Sequence, residues 1–181
     1  MSEAFKAEAL RLLYSIADST AAVSDADIHT LRARQVSFVE SLNLTQLALL
    51  AIITNILGLE YCRATPGGSI RERRIVFEDR LLRYGPVLAW ATLQGHGCAV
   101  QEWSERVLSA ALANMEAYET GRIEGYACLQ NTIWKLFCAR KNCGMWECWE
   151  KATEWVEREM VSERNASGRV GNQTTTASDE M

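Results

Sequence analysis

The stretch from Val87 to Val100 contains no Asp, Glu, Lys or Arg. A membrane-crossing helix needs about 20 apolar residues, so this one is too short to span a bilayer. A helix without a charged side has no face to offer to water. It belongs inside a soluble core, with other helices packed around it. The rest of the chain can supply them. Two prolines and eleven glycines in 181 residues leave room for long uninterrupted helices. Apolar and polar residues nowhere alternate for long, so strands have no support. The expectation is an all-α fold, a bundle of about eight helices around a buried central helix.

Periodicity sets the elements. Phe5, Ala9, Leu12 and Ile16 share one face of a first helix over about residues 2–18. Ser24, with Asp27 three residues on, reads as the N-cap of a second helix. Ile28, Leu31, Phe38 and Leu42 mark its apolar face, interrupted by Gln35. Thr45 reads as the cap of a third helix to about Tyr61. Its apolar run, Leu47 to Leu59, is broken only by Thr54 and Asn55. That run is too short and too polar for a membrane span and reads as buried.

Pro66-Gly67-Gly68 breaks the chain, and Ser69 can cap a fourth helix. Ile70, Phe77, Leu81 and Tyr84 lie on one side of it, and Arg71, Glu72, Arg73, Glu78 and Arg80 largely cover the other. Pro86 opens the uncharged helix, where a first-turn proline costs little, and the Gly95/Gly97 pair closes it. Trp103, Val107 and Ala111 mark a sixth helix closed by Gly121. A seventh, with Ile123, Tyr126, Ile133 and Phe137, runs to about Cys143. Trp146, Trp149, Thr153, Val156 and Met160 mark the last. From Ser162 the chain turns polar. Residues 1–161 thus read as one helical domain and 162–181 as a disordered polar tail.

Charge and motif content narrow the function. The net charge is -4 and no long basic run occurs, which argues against nucleic acid as a partner. The N-terminus has no charged start followed by an apolar run, and no apolar run follows Arg164. The expectation is an intracellular, cytoplasmic protein with reduced cysteines, no signal peptide and no membrane anchor. Cys138, Cys143 and Cys148 could join His96 or Cys98 around zinc. Steps of five do not align on a helix, however, and no Cys-x-x-Cys pair exists, so no metal is expected. The cysteines read as free thiols, and Trp146, Trp149 and Trp155 as core. No phosphate loop, nucleophile motif or acid–base set around His29 or His96 is present, which points to a non-enzyme without a cofactor.

Several segments, in order, carry a family resemblance. Thr65-Pro66-Gly67 precedes the fourth helix. Tyr84-Gly85 leads into the uncharged run from Val87 to Cys98, which contains Gly95. Lys141-Asn142-Cys143-Gly144-Met145-Trp146-Glu147 follows near the end. This order resembles the Bcl-2 family of apoptosis regulators. The adenoviral members are resembled further through Ser41-Leu42-Asn43-Leu44, Trp103-Ser104-Glu105, Trp134-Lys135-Leu136 and Ala139-Arg140-Lys141-Asn142. The match is patchy and covers roughly residues 41–149.

The resemblance implies a Bcl-2-like bundle and an anti-apoptotic role. Phe77, Leu81, Leu82, Tyr84, Gly85, Val87 and Leu88 would line a partner-binding groove, and Gly144 and Trp146 would belong to a second homology motif. The implied partners are pro-apoptotic family proteins, either Bax/Bak-like effectors or death-motif-only proteins, with recruitment to mitochondria or the nuclear envelope through them. Where the family carries an arginine to pair with the partner's Asp, this chain has Pro86, so the groove would hold its ligand mainly by apolar burial. The family's own Leu-x-x-x-Gly-Asp motif is absent, which argues against a pro-apoptotic activator. A helical interaction adaptor without such a groove is the alternative.

Overall fold

A computed structural model describes residues 3–65, 70–94, 98–119 and 128–170. Among these residues the chain is all-helical, with eight helices and no strand. They are α1 (Glu3–Ser19), α2 (Ile28–Ser41), α3 (Leu44–Ala64), α4 (Ile70–Tyr84), α5 (Pro86–Gln94), α6 (Cys98–Glu119), α7 (Leu129–Lys141) and α8 (Cys148–Val170). The Pro66-Gly67-Gly68 break, the Ser69 cap, the Gly95/Gly97 pair, Gly121, Ile123 and Tyr126 lie outside the described residues.

The bundle is built around α3, which packs against α1, α4, α5, α7 and α8. Its start is fixed by a capping box. The Asn43 side chain accepts from the Gln46 N–H, and the Gln46 side chain accepts from the Asn43 N–H. The cap is thus Asn43 and not Thr45, whose hydroxyl instead accepts from the Trp155 indole at 3.0 Å. The helix ends where Thr65, just before Pro66, leaves helical geometry, as residues preceding proline are pushed to do. At 21 residues α3 is longer than its apolar run suggests, and by length and composition alone it could cross a membrane. Half of its most apolar window is buried inside the protein.

The uncharged helix is not the central one. α5 is only nine residues long and packs on α3, α4 and α6. Leu88, Ala89 and Ala91 are buried, but Val87 and Trp90 are 51% and 52% exposed. Lack of charge tells that a helix tolerates burial, not that neighbours surround it. The reverse holds for α4. Glu78 and Arg80, expected on its solvent side, are buried together with Asp79 and Arg83. Helices α1, α3, α5, α6 and α7 all pack against α4, and Glu78, Asp79 and Arg83 meet Arg74, Arg32 and Asp25 there, while the buried Arg80 Nε has no hydrogen-bond partner among the described residues.

At the α2 boundary the cap is Asp27, whose side chain accepts from the Thr30 N–H. Ser24 instead accepts from Ala26. Gln35 does not interrupt the inner face of α2 but belongs to it. Its amide takes a hydrogen bond from Arg32 at 2.9 Å and donates weakly to the Leu82 carbonyl. Arg32 also reaches Asp79 at 2.8 Å, which ties α2 to α4 through buried polar groups. Helix α8 continues past Ser162 to Val170, a stretch without proline, and residues 171–181 lie outside the described residues.

Candidate functional site: the corner between α4 and α5

Tyr84, Gly85 and Pro86 form the corner between α4 and α5. The Gly85 N–H donates to the Leu81 carbonyl at 2.8 Å and closes α4. Gly85 then turns the chain with φ +68, a left-handed conformation that costs other residues about 1–2 kcal/mol. Pro86 starts α5 at once. The corner is pressed onto α1: a Cβ on Gly85 would lie 3.3 Å from both Ala17 Cβ and the Leu13 carbonyl oxygen. Glycine is required here by backbone geometry and by α1.

Polar contacts hold the corner from the other side. Arg83 donates to Asp25 at 2.8 Å, to the Thr20 carbonyl at 2.9 Å and to the Val23 carbonyl at 2.8 Å. It stitches the end of α4 to the loop between α1 and α2. The Tyr84 hydroxyl donates to Asp25, and its ring meets the Trp103 edge of α6 at 5.5 Å. Burial and the Asp25 carboxylate push the Tyr84 hydroxyl up to about 12. Burial works to raise the Asp25 carboxyl, but hydrogen bonds from Tyr84 and Arg83, with the Arg83 charge, hold it below the usual carboxylate range.

The residues expected to line a groove divide by depth. Phe77, Leu81, Leu82 and Leu88 are fully buried in the main core and line no open cleft. Phe77 stacks on Tyr61 of α3 at 4.4 Å. Tyr84 is half-buried and Gly85 buried. Of this set only Val87 is exposed, and Trp90 joins it one turn further along α5.

Gly144 and Trp146 lie in the turn between α7 and α8, before α8 begins. Gly144 is exposed, and its N–H donates to Glu147 at 3.0 Å. Trp146 is 99% exposed, beside half-exposed Met145, and is therefore not core. The other two tryptophans differ. Trp149 is 40% exposed, with its ring 6.3 Å from Trp134. Trp155 is half-buried, bonded to Thr45 and covered by the Lys141 ammonium at 4.2 Å.

Sequence reasoning missed the buried charges of α4 and their partners Asp25 and Arg32. No local signal marked them, because the partners lie far away in sequence: Asp25 is 58 residues from Arg83 and Arg32 is 47 from Asp79. Among the described residues, no group of three His, Cys, Asp or Glu side chains is arranged to hold a metal ion. His96 lies outside them. No protein-family model, curated protein or solved structure matches the chain.

Proposed function

We propose that the protein is an anti-apoptotic, Bcl-2-type regulator of viral kind, with the bundle arrangement of that family. It binds the death-motif helix of Bax/Bak-like effectors or of death-motif-only proteins and blocks mitochondrial permeabilisation. It acts from the cytoplasm and reaches mitochondria through its partners. The observation that supports this reading is the α4–α5 corner, where Tyr84-Gly85-Pro86 is followed by half-exposed, apolar Val87 and Trp90 on an uncharged helix.

Helix-in-groove recognition needs apolar anchors at helical spacing received by an apolar cleft. Val87 and Trp90 supply the accessible rim. Phe77, Leu81, Leu82 and Leu88 lie deeper, and a partner helix reaches them only if a helix packed on α4 and α5 shifts; α6, the one least anchored in the main core, is the candidate. The test is titration of a panel of death-motif peptides against the wild type and against Val87→Asp and Trp90→Glu. Both changes fall at exposed positions, so helicity should persist while affinity drops at least tenfold. If no peptide binds, or if both variants bind as the wild type does, the reading fails.

A second reading, a helical adaptor without a death-motif groove, is favoured by the burial of Phe77, Leu81, Leu82 and Leu88 and by the exposed Met145-Trp146 turn. It predicts that Trp146→Ser, and not the α5 variants, disturbs partner binding.

A further inference from the structure

Cys138, Cys143 and Cys148 stand five residues apart, a spacing that scatters side chains on a continuous helix. The structure gathers them because α7 stops between the first two. Asn142 takes a left-handed conformation with φ 55, and the Cys143 N–H donates back to the Cys138 carbonyl at 3.1 Å. The Cys138 thiol lies 3.7 Å from the Gly144 carbonyl, so the chain folds over it. Cys148 opens α8 from the far side of the turn. Cys143 and Cys148 are half-buried and pack against the core cluster that contains buried Cys138. Both of their side chains act on the Cys138 thiol.

We propose that these three residues form an oxidation site at the α7–α8 turn, where hydrogen peroxide links Cys138 to Cys143 or Cys148. The sulfur of Cys143 or Cys148 attacks one peroxide oxygen. The O–O bond breaks, a sulfenic acid forms and one water leaves. The Cys138 sulfur then attacks the sulfenic sulfur. The S–O bond breaks, the S–S bond forms, and a second water leaves with the Cys138 proton. Two thiols give up two electrons and two protons, and one peroxide becomes two waters. The third thiol can exchange into the bond. Cys138 is buried while Cys143 and Cys148 are partly exposed, so peroxide meets one of these two first. The bridge fastens the end of α7 to the turn that carries Met145 and Trp146.

The experiment treats the reduced full chain with stoichiometric hydrogen peroxide. It is then alkylated, digested with trypsin without reduction and analysed by mass spectrometry. Cleavage after Arg140 and Lys141 puts Cys138 on one peptide and Cys143 and Cys148 on another. The expected product joins these two peptides within one molecule, is reversed by dithiothreitol, and leaves Cys62 and Cys128 alkylated. In Cys138→Ala the link between the two peptides must be absent, and the oxidation should stay on the Cys143/Cys148 peptide, as a sulfenic acid trapped by dimedone or as a bridge within that peptide. Should that variant fold poorly, the Cys143→Ser/Cys148→Ser pair must leave Cys138 reduced. Alkylated Cys138 in the treated wild type, links only between molecules, or oxidised Cys138 in the double variant would overturn the proposal.

Discussion

Glu78 is a carboxylate in a buried place. It is buried on α4 against Gly58 of α3, and burial raises its carboxyl above the usual range despite the Arg74 hydrogen bond at 2.7 Å. An acid whose pKa is raised on folding binds its proton more tightly in the folded chain. Its ionisation therefore costs stability as pH climbs from the ordinary carboxylate value through the folded one. Glu78→Gln should flatten the stability profile over that window and be no less stable at pH 7. The lost ion pair counts for little, because Arg74 is about a third exposed. Urea midpoints of both proteins at several pH values check this, and an unchanged slope would sink it. Gly85 belongs to the same scale. The resemblance placed it in the wall of a partner-binding groove, where a substitution such as Gly85→Glu would be expected to act on binding. Its φ and its contact with Leu13 and Ala17 make any side chain there destabilising. Gly85→Ala should lower stability by about 1–2 kcal/mol in thermal melts, and so Gly85→Glu cannot report on binding alone.

At the scale of the element, helix existence was legible and helix role was not. Phe5, Ala9, Leu12 and Ile16 share a face by spacing, and all four are buried. The burial of α3 was read correctly but its central place was not, and the roles of α4 and α5 were misjudged, because burial depends on neighbours distant in sequence. Asp79 is neutralised by Arg32, 47 residues away, and Arg83 by Asp25, 58 away. No local pattern records such pairs. Nor could spacing tell a groove wall from core: Phe77, Leu81 and Val87 are alike as residues, and the helices packed on α4 and α5 decide which of them meet water. The α3–α4 seam offers a sharp test. Replacing a mid-helix glycine with alanine normally stabilises by about 1 kcal/mol. A Cβ on Gly58 would lie 2.6 Å from Glu78 Oε1 and 2.8 Å from its Cγ. Glu78 is buried and cannot swing clear, so Gly58→Ala should destabilise, and Glu78→Ala in the same chain should restore the usual gain. A stabilised single variant would mean that the seam is loose.

Across the whole molecule, stability is unevenly shared. The main core joins α1, α2, α3, α4, α5, α7 and α8 through fully buried side chains such as Val39, Leu47, Leu50, Phe77 and Phe137. Helix α6 holds on differently. Among its described side chains, buried Ala111 and Met115 form a small separate cluster with Val76 of α4, and Trp103, Val107 and Leu108 join the main core only partly buried. Segments with few buried apolar contacts open below the global unfolding free energy. Native-state hydrogen exchange should therefore find the amides of α6 opening well before those of α3. Leu50→Ala should cost the whole molecule about 2–5 kcal/mol, as buried leucine deletions do. Met115→Ala should mainly hasten exchange within α6. This order bears on function, because a partner helix can reach Phe77 and Leu81 only by moving what covers α4 and α5. If α6 proves as protected as α3, the deep residues are sealed. A partner is then confined to the Val87–Trp90 rim, and the groove reading gives way to the adaptor.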